Sequence, residues 1–172
     1  VSWAYATTHA KPLSVPQTQA LLFPRFGIDV AIAHPPEFPL QEEIVTKAKE
    51  NATAGGGSVT VVDSMEEALQ DADIVIPKNW GGFAHFSPYV EGETHDRAMK
   101  ENLEKHRDWI CDEKRFSLAR SNAKIMHALP ADRGNEITDS LLDGEHSIIY
   151  DEAENRLHTA KAVLALVMGG RP

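Results

Sequence analysis

Residues 28–62 read IDVAIAHPPEFPLQEEIVTKAKENATAGGGSVTVV, and this stretch decides the fold. It contains an apolar run at residues 28–33, a longer segment at about residues 39–54, three consecutive glycines and a second apolar run at residues 58–62. Short apolar runs between turn residues are typical of buried strands, and glycines after a longer segment mark the end of a helix. The stretch therefore predicts a strand–helix–strand unit.

The same alternation continues on both sides of this unit. Further strands are predicted at residues 1–6, 73–76, 124–127 and 147–150, and further helices at residues 12–26, 64–70, 93–107, 112–119, 138–142 and 152–167. Ser64 with Glu67 three positions later forms a capping box for one of the helices. Repeated strand–helix units predict a parallel sheet that is covered by helices on both faces.

Composition restricts the function classes. The 172 residues suit a single domain, residues 1–172, and the net charge of −9 makes a nucleic-acid partner unexpected. The single cysteine, Cys111, cannot form an internal disulfide, which fits a cytoplasmic protein. No apolar stretch is long enough to span a membrane, so no membrane partner is expected. The histidine spacings suit no metal site, and no glycine-rich turn follows the first strand, so we predict neither metal nor cofactor.

His127 and Leu129 stand at the carboxyl end of a predicted strand, where open α/β sheets bind ligands. The imidazole of His127 can donate a hydrogen bond to a carbonyl group. The carbonyl of Leu129 lies in the turn after the strand, where an amide ligand could satisfy it. A structural histidine and an ordinary core leucine remain open alternatives.

Arg156 lies in the first turns of the last predicted helix, within the stretch DEAENRLH at residues 151–158. Its guanidinium carries a planar fork of donors that matches phosphate or carboxylate oxygens. The alternative is a surface ion pair with the neighbouring Glu152 or Glu154.

Four more residues follow strand ends on the ligand side of the predicted sheet. Lys78 can pair with a carboxylate, and Trp80 can form the wall of an apolar pocket with its N–H free to bond. Lys11 and Ser14 open the first helix, a position that favours anions. An exposed lysine, a loop-anchoring tryptophan and a serine that acts only as an N-cap are the alternatives.

HALPADRG at residues 127–134, followed by DEAENRLH, resembles the second half of an aspartate/ornithine carbamoyltransferase. That family carries His-Cys-Leu-Pro and then Asp-Glu-Ala-Glu-Asn-Arg, and the resemblance covers essentially the whole chain. It implies a Rossmann-like three-layer sandwich with a central parallel sheet of about five strands. It also implies transfer of a carbamoyl group from carbamoyl phosphate to an ornithine-like amine. His127 and Arg156 would polarise the carbamoyl oxygen, and the Leu129 carbonyl would hold the NH2 group.

The loop KNWGGF at residues 78–83 lacks the Asp-x-Trp and Ser-Met-Gly pattern of the free-ornithine enzymes. With SWAY at residues 2–5 and KPL at residues 11–13, it is similar to the knotted N-acetylornithine and N-succinylornithine carbamoyltransferases, in which Lys78 would bind the substrate carboxylate. Ala128 replaces the usual cysteine. Ala131-Asp132-Arg133 replaces Leu-Arg-Arg, so the acyl specificity stays open, and we count Arg133 among the substrate-binding residues.

The phosphate-binding Ser-x-Arg-Thr motif of the family's amino-terminal domain is absent from this sequence. We therefore expect the second-substrate domain alone, inactive by itself and part of a homotrimer when whole. A non-catalytic module that binds a small amino acid is the main alternative. A dinucleotide-binding domain of an oxidoreductase is a third, which TTHA at residues 7–10 disfavours because it offers no glycine-rich turn.

Overall fold

The computed structural model describes residues 1–6, 11–82 and 93–169, with the backbone alone at residues 93–96 and 98. The strands are β1 Ser2–Trp3, β2 Val30–Ala33, β3 Val59–Val62, β4 Ile74–Val75, β5 Pro77–Lys78 and β6 Lys124–Ile125. The helices are α1 Ser14–Leu22, α2 Glu42–Gly55, α3 Met65–Leu69, α4 Glu93–Glu104, α5 Glu113–Phe116, α6 Asp139–Leu142 and α7 Ile149–Val167. A 3-10 turn, Phe23–Phe26, follows α1.

All of these strands pair in parallel, in the order β3-β2-β1-β5 and, beside it, β4-β6. Only Ile76 separates β4 from β5, so one chain segment pairs with β1 at one end and with β6 at the other. A single parallel bridge from Ile125 to Ser147 extends the edge. The parallel α/β fold predicted from the alternation of strands and helices is confirmed.

Two cores lie on opposite faces of the sheet, as the alternation of side chains along a strand requires. Trp3 packs on the face of α1 and α2, and its ring stacks on Phe38 with centroids 4.7 Å apart. Its neighbour Ala4 packs on the other face, against residues of α3, α5 and α6. The molecule is therefore a three-layer sandwich of helices, sheet and helices.

Local sequence signals set several helix ends. The Ser64 hydroxyl accepts a hydrogen bond from the backbone N–H of Glu67 at 3.1 Å, which confirms the predicted cap of α3. Gly56 has a φ of 83° and its N–H donates to the Ala52 carbonyl at 2.8 Å, so it ends α2 as expected. Gly55 packs its Cα directly against the backbone of Pro24 in the 3-10 turn.

Three local predictions are wrong. Ser14 is not the N-cap of α1, because Leu13 occupies that position and makes no side-chain cap. Residues 147–150 are not a strand: after the bridge at Ser147 the chain turns at once into α7, which begins three residues before the predicted start at 152. Lys78 does not follow a strand, because β5 pairs it with Trp3.

The last helix, α7, projects an exposed apolar surface. Its exposed apolar side chains are Leu157, Val163, Leu164, Leu166 and Val167, followed by Met168 just after the helix. Ile149, at its start, is its buried anchor in the core. Within the described ranges, no helix combines the length and apolar character needed to cross a bilayer.

Replacing Gly55 by alanine should destabilise the protein by about 2–3 kcal/mol, because the new Cβ would overlap the carbonyl oxygen of Pro24 and the backbone of Arg25. Gly56→Ala is the matched control: it meets no atom within 4 Å but forces a φ of 83° on alanine, and should lose about 1 kcal/mol. Urea denaturation measures both losses. An equal or smaller loss at position 55 would contradict this packing.

Candidate functional site

His127 lies two residues after the end of β6, at the carboxyl edge of the sheet. Its side chain is fully buried, and neither ring nitrogen has a hydrogen-bond partner among the residues that the structure describes. Nε2 stands 3.3 Å from Oε2 of Glu136, without hydrogen-bond geometry. The backbone N–H donates to the carboxylate of Glu152 in α7 at 2.8 Å. The imidazole is thus held in place by its backbone and by packing, with Nε2 facing the Glu136 carboxylate and Nδ1 without a partner among the described residues.

Glu136 is the residue that links the loops at this edge. It has no exposed surface, and its Oε1 accepts the backbone N–H of Asn79 at 2.5 Å. Its Oε2 accepts the Lys11 ammonium at 2.5 Å and the backbone N–H of Asp132 at 2.7 Å. One carboxylate therefore joins the segments after β1, β5 and β6.

The contacts of Glu136 decide its ionisation. Burial by itself raises the pKa of this carboxyl, but His127, the Lys11 ammonium and the donated backbone N–H outweigh burial and bring the pKa down to about 2. The residue is therefore an anion at any physiological pH. A buried anion of this kind is stable only because every one of its donors is in place.

Lys78 stands beside this carboxylate in β5. The residue is 3% exposed, and its ammonium makes no hydrogen bond or ion pair with any part of the chain that the structure describes. Burial lowers the pKa of Lys78, an effect that the negative charge of Glu136 opposes. The side chain is therefore a mostly buried cation that has no ion-pair partner within the described residues.

Trp80 is a structural residue. It has no exposed surface, and its N–H donates to the Phe38 carbonyl at 2.8 Å. Its own carbonyl accepts the indole N–H of Trp3 at 2.7 Å. The prediction that its N–H is free to bind a ligand is wrong, and the loop-anchoring alternative describes its contacts.

Three other residues were predicted to bind substrate. The cationic groups of two of them are already bound to protein oxygens, and the hydroxyl of the third makes no hydrogen bond within the described residues. The Lys11 ammonium is shared between Glu136 and the Pro130 carbonyl, the latter at 2.8 Å. Arg133 donates to Asp139 and Asp143, both at 2.7 Å, which raises its pKa. Ser14 is exposed, and its hydroxyl makes no hydrogen bond within the described residues.

Leu129 offers an open acceptor. It is 44% exposed, and no donor within the described residues reaches its carbonyl, whereas its N–H donates to the His127 carbonyl at 2.8 Å. The peptide bond from Leu129 to Pro130 is cis. The predicted unpaired acceptor is therefore present in the turn after β6.

Arg156 is exposed on α7 and forms no ion pair within the ranges described, so the predicted alternative of a surface pair is wrong. Glu154 instead lies 3.6 Å from His158, and Glu152 accepts the N–H of His127. Residues four positions apart share a helix face, so Arg156 lies one turn from the carboxylate that holds His127. Glu152 is thus the link between the two sequence motifs.

Sequence reasoning missed three residues of this arrangement. Glu136 and Asp132 lie in a polar loop whose sequence resembles an ordinary surface turn. The Oδ2 atom of Asp132 is buried and has no hydrogen-bond partner within the described part of the chain. Asn79 joins the segments through its side chain, which accepts the N–H of Lys11 at 3.1 Å and donates to the Ala4 carbonyl at 2.8 Å. In the sequence, the only indication of a role for Asn79 is its position between Lys78 and Trp80, which were predicted to bind substrate.

Three further observations restrict the chemistry. A groove of about 650 Å³ lies at the opposite, amino edge of the sheet, around Asp29 and Ser58, away from the edge where parallel sheets bind ligands. Burial raises the pKa of the Cys111 thiol to about 12, so this thiol is a poor nucleophile. Within the residues described, no three His, Cys, Asp or Glu side chains are placed to hold a metal ion.

Comparison with known proteins gives one consistent family. Residues 12–167 match the model of the aspartate/ornithine carbamoyltransferase Asp/Orn binding domain. A relative from Escherichia coli (strain K12), named "Putative carbamoyltransferase YgeW", is 38% identical over 186 residues, which are 95% of this chain and 46% of the relative. The ornithine carbamoyltransferase of Methanoculleus marisnigri is 38% identical over 84% of this chain and 42% of its own length.

The solved structures agree with the relatives. A crystal structure of an N-acetyl-L-ornithine transcarbamylase K302A mutant complexed with PALAO superposes with a TM-score of 0.83 at 32% identity. The match covers 96% of this chain and 47% of that one. The chain therefore spans about half the length of the proteins that it resembles.

Replacing Glu136 by glutamine should destabilise the protein at pH 7 by about 2–4 kcal/mol, because it leaves the partly buried ammonium of Lys11 without its counter-charge. The depressed pKa also sets a pH dependence. The stabilisation by ionised Glu136 is complete above its usual pKa of 4.5 and is lost as the pH falls from there through about 2.

Urea denaturation between pH 7 and pH 2 measures this difference. The gap between wild type and Glu136→Gln should close on acidification, whereas Glu145→Gln, at a side chain that is 91% exposed, should match the wild type throughout. A gap that stays constant down to pH 2 would contradict the assignment.

Proposed function

Because this chain belongs to the aspartate/ornithine carbamoyltransferase family, we propose that its full-length protein transfers the carbamoyl group of carbamoyl phosphate to an ornithine-type amine. The domain described above would bind the amine substrate. The observation that carries this proposal is the buried imidazole of His127 beside the helix of Arg156. Among the described residues its Nδ1 has no partner, and its Nε2 lies 3.3 Å from the Glu136 carboxylate without hydrogen-bond geometry. Unpaired polar groups inside a protein are costly, and they are typical of sites that a ligand completes.

The chemistry needs stabilisation of charge and no covalent intermediate. The amine nitrogen attacks the carbonyl carbon of carbamoyl phosphate, the bond from that carbon to the phosphate oxygen breaks, and the amine proton leaves with the phosphate. Negative charge develops on the carbamoyl oxygen, where an N–H of His127 and the guanidinium of Arg156 would donate. The Leu129 carbonyl would accept a hydrogen bond from the carbamoyl NH2 group.

Positioning of the second substrate would fall to Lys78. The Lys78 side chain is mostly buried and makes no ion pair within the described residues, so its ammonium would attract a carboxylate more strongly than an exposed lysine would. Access to the nitrogens of His127 requires the surrounding side chains to move, since the imidazole is fully covered. Substrate binding and opening of this edge of the sheet would then be coupled.

The remaining polypeptide would supply the carbamoyl phosphate site. The exposed apolar side chains of α7, with Leu164 and Val167 more than half exposed, suit contact with another part of the full-length protein. We further propose a homotrimer that acts in arginine metabolism in the cytoplasm.

The direct test supplies the full-length protein with carbamoyl phosphate and, in turn, ornithine, acetylornithine, succinylornithine and other diamines. Formation of a citrulline-type product with any of them supports the proposal. Binding of an amino acid without turnover of any amine would favour the alternative, a non-catalytic amino-acid-binding module.

Arg156→Ala should lower kcat/KM of the full-length enzyme by about 10²- to 10³-fold, as expected when a donor to the developing charge is removed. The melting temperature should stay unchanged, because Arg156 makes no ion pair with the described residues of this domain. Lys161→Ala on the same helix is the control and should affect neither quantity. A large loss of melting temperature with normal turnover would show instead that Arg156 has a structural role.

A further inference from the structure

The last helix, α7, contacts the rest of the domain through its first turn. Ile149 is buried in the core and Glu152 is half-buried, whereas every other residue of α7, which the structure describes throughout, is exposed. The carboxylate of Glu152 accepts the backbone N–H of His127 at 2.8 Å. One side chain of α7 therefore reaches the strand end that carries the imidazole.

The backbone N–H of His127 depends on this carboxylate. Strand β6 ends at Ile125, and no other acceptor within the described residues reaches that N–H. A backbone N–H without an acceptor inside a protein is costly, and a hydrogen bond to a carboxylate is stronger than one to a neutral carbonyl. The turn that begins at His127 is thus fixed by α7.

Glu152 and Arg156 lie on the same face of α7. With Asn155 and Thr159, they line one open groove along the helix. A glutamate commonly pairs with a basic residue four positions later on a helix, yet Arg156 forms no ion pair within the described ranges. Because Glu152 is bonded to His127 instead, the guanidinium stays available, and its place relative to the imidazole is set by this one hydrogen bond.

We propose that Glu152 is a positioning residue, which fixes the spacing between His127 and Arg156 through its hydrogen bond to the His127 backbone. This role rests on the proposed function, in which both groups donate to the carbamoyl oxygen. Two donors act on one oxygen only while their spacing is held, and a displacement of about 1 Å costs on the order of 10²-fold in rate. Glu152 itself touches neither the substrate nor the reacting atoms in this role.

The negative charge of Glu152 offers a different explanation, which its contacts disfavour. Burial lowers the pKa of Lys78, and Glu152 is one of the negative charges that oppose this effect. A role through charge alone would act on binding of the amine substrate at Lys78 and would change KM. A positioning role changes kcat, because the spacing of the two donors matters in the transition state. The 2.8 Å contact with the His127 backbone favours positioning.

Two substitutions in the full-length enzyme separate the reach of this side chain from its charge. Glu152→Asp keeps the charge but withdraws the carboxylate by one methylene, and should lower kcat by about 10- to 100-fold with little change in KM. Glu152→Gln keeps the length and an oxygen that accepts the N–H, and should retain most of the wild-type kcat. Glu154→Gln, at an exposed carboxylate 3.6 Å from His158, is the control and should match the wild type.

A double-mutant cycle with His127 separates positioning from a purely structural role. In a His127→Ala background the imidazole to be positioned is absent, so the loss of kcat caused by Glu152→Asp should become clearly smaller. An equal loss in both backgrounds would overturn the inference. So would a normal kcat in Glu152→Asp, or a loss in Glu152→Gln as large as that in Glu152→Asp.

The backbone amide signal of His127 gives a readout that does not need turnover. In full-length protein labelled with nitrogen-15 histidine, the amide proton should have the same shift in the wild type and Glu152→Gln, and should move upfield in Glu152→Asp. An amide signal that does not respond to Glu152→Asp would refute the contact. Absence of turnover with every amine would instead refute the proposed function, and a normal kcat in Glu152→Asp would refute the positioning role while the enzyme stands.

Discussion

The buried carboxylate of Glu136 is the interaction on which the rest of the site depends. It receives the Lys11 ammonium and the backbone N–H groups of Asn79 and Asp132, and it lies 3.3 Å from the imidazole of His127. These groups come from three separate connections at the carboxyl edge of the sheet. Desolvating a carboxylate is costly, so this arrangement holds only while all of its donors remain in place.

Around this satisfied carboxylate the site keeps several polar groups unsatisfied. Among the described residues, Nδ1 of His127 and Oδ2 of Asp132 are buried without a hydrogen-bond partner, and the Lys78 ammonium makes no hydrogen bond or ion pair. Away from this site, the buried side chain of Asn51 donates to the Leu21 carbonyl, and among the described residues Oε1 of Gln19 is the other buried side-chain atom without a partner. Unpaired polar groups held in place by a fully hydrogen-bonded carboxylate are expected where a ligand completes the network, because such unpaired groups do not stabilise the protein by themselves.

The sequence predicted the fold well because strands and glycine-terminated helices are local signals. It also singled out His127 and Arg156, which the structure connects through Glu152. It failed where the role of a residue depends on a group that is far away in sequence but close in the folded chain. Trp80 and Arg133 are residue types that often bind ligands. The N–H of Trp80, however, donates to the Phe38 carbonyl, and the guanidinium of Arg133 is paired with Asp139 and Asp143. The role of Glu136 could not be predicted for the same reason, since the donors Lys11 and Asn79 lie far from it in sequence and contact it only in the folded chain.

The measurement that tests the central role of Glu136 most directly is a carbon-13 NMR titration of its side-chain carboxyl. The contacts of Glu136 predict a pKa of about 2, because Lys11, His127 and two backbone N–H groups stabilise the ionised carboxylate. A pKa at the usual value of 4.5 or above would contradict the account, since the carboxylate would then be neither charge-paired nor able to hold the loops together.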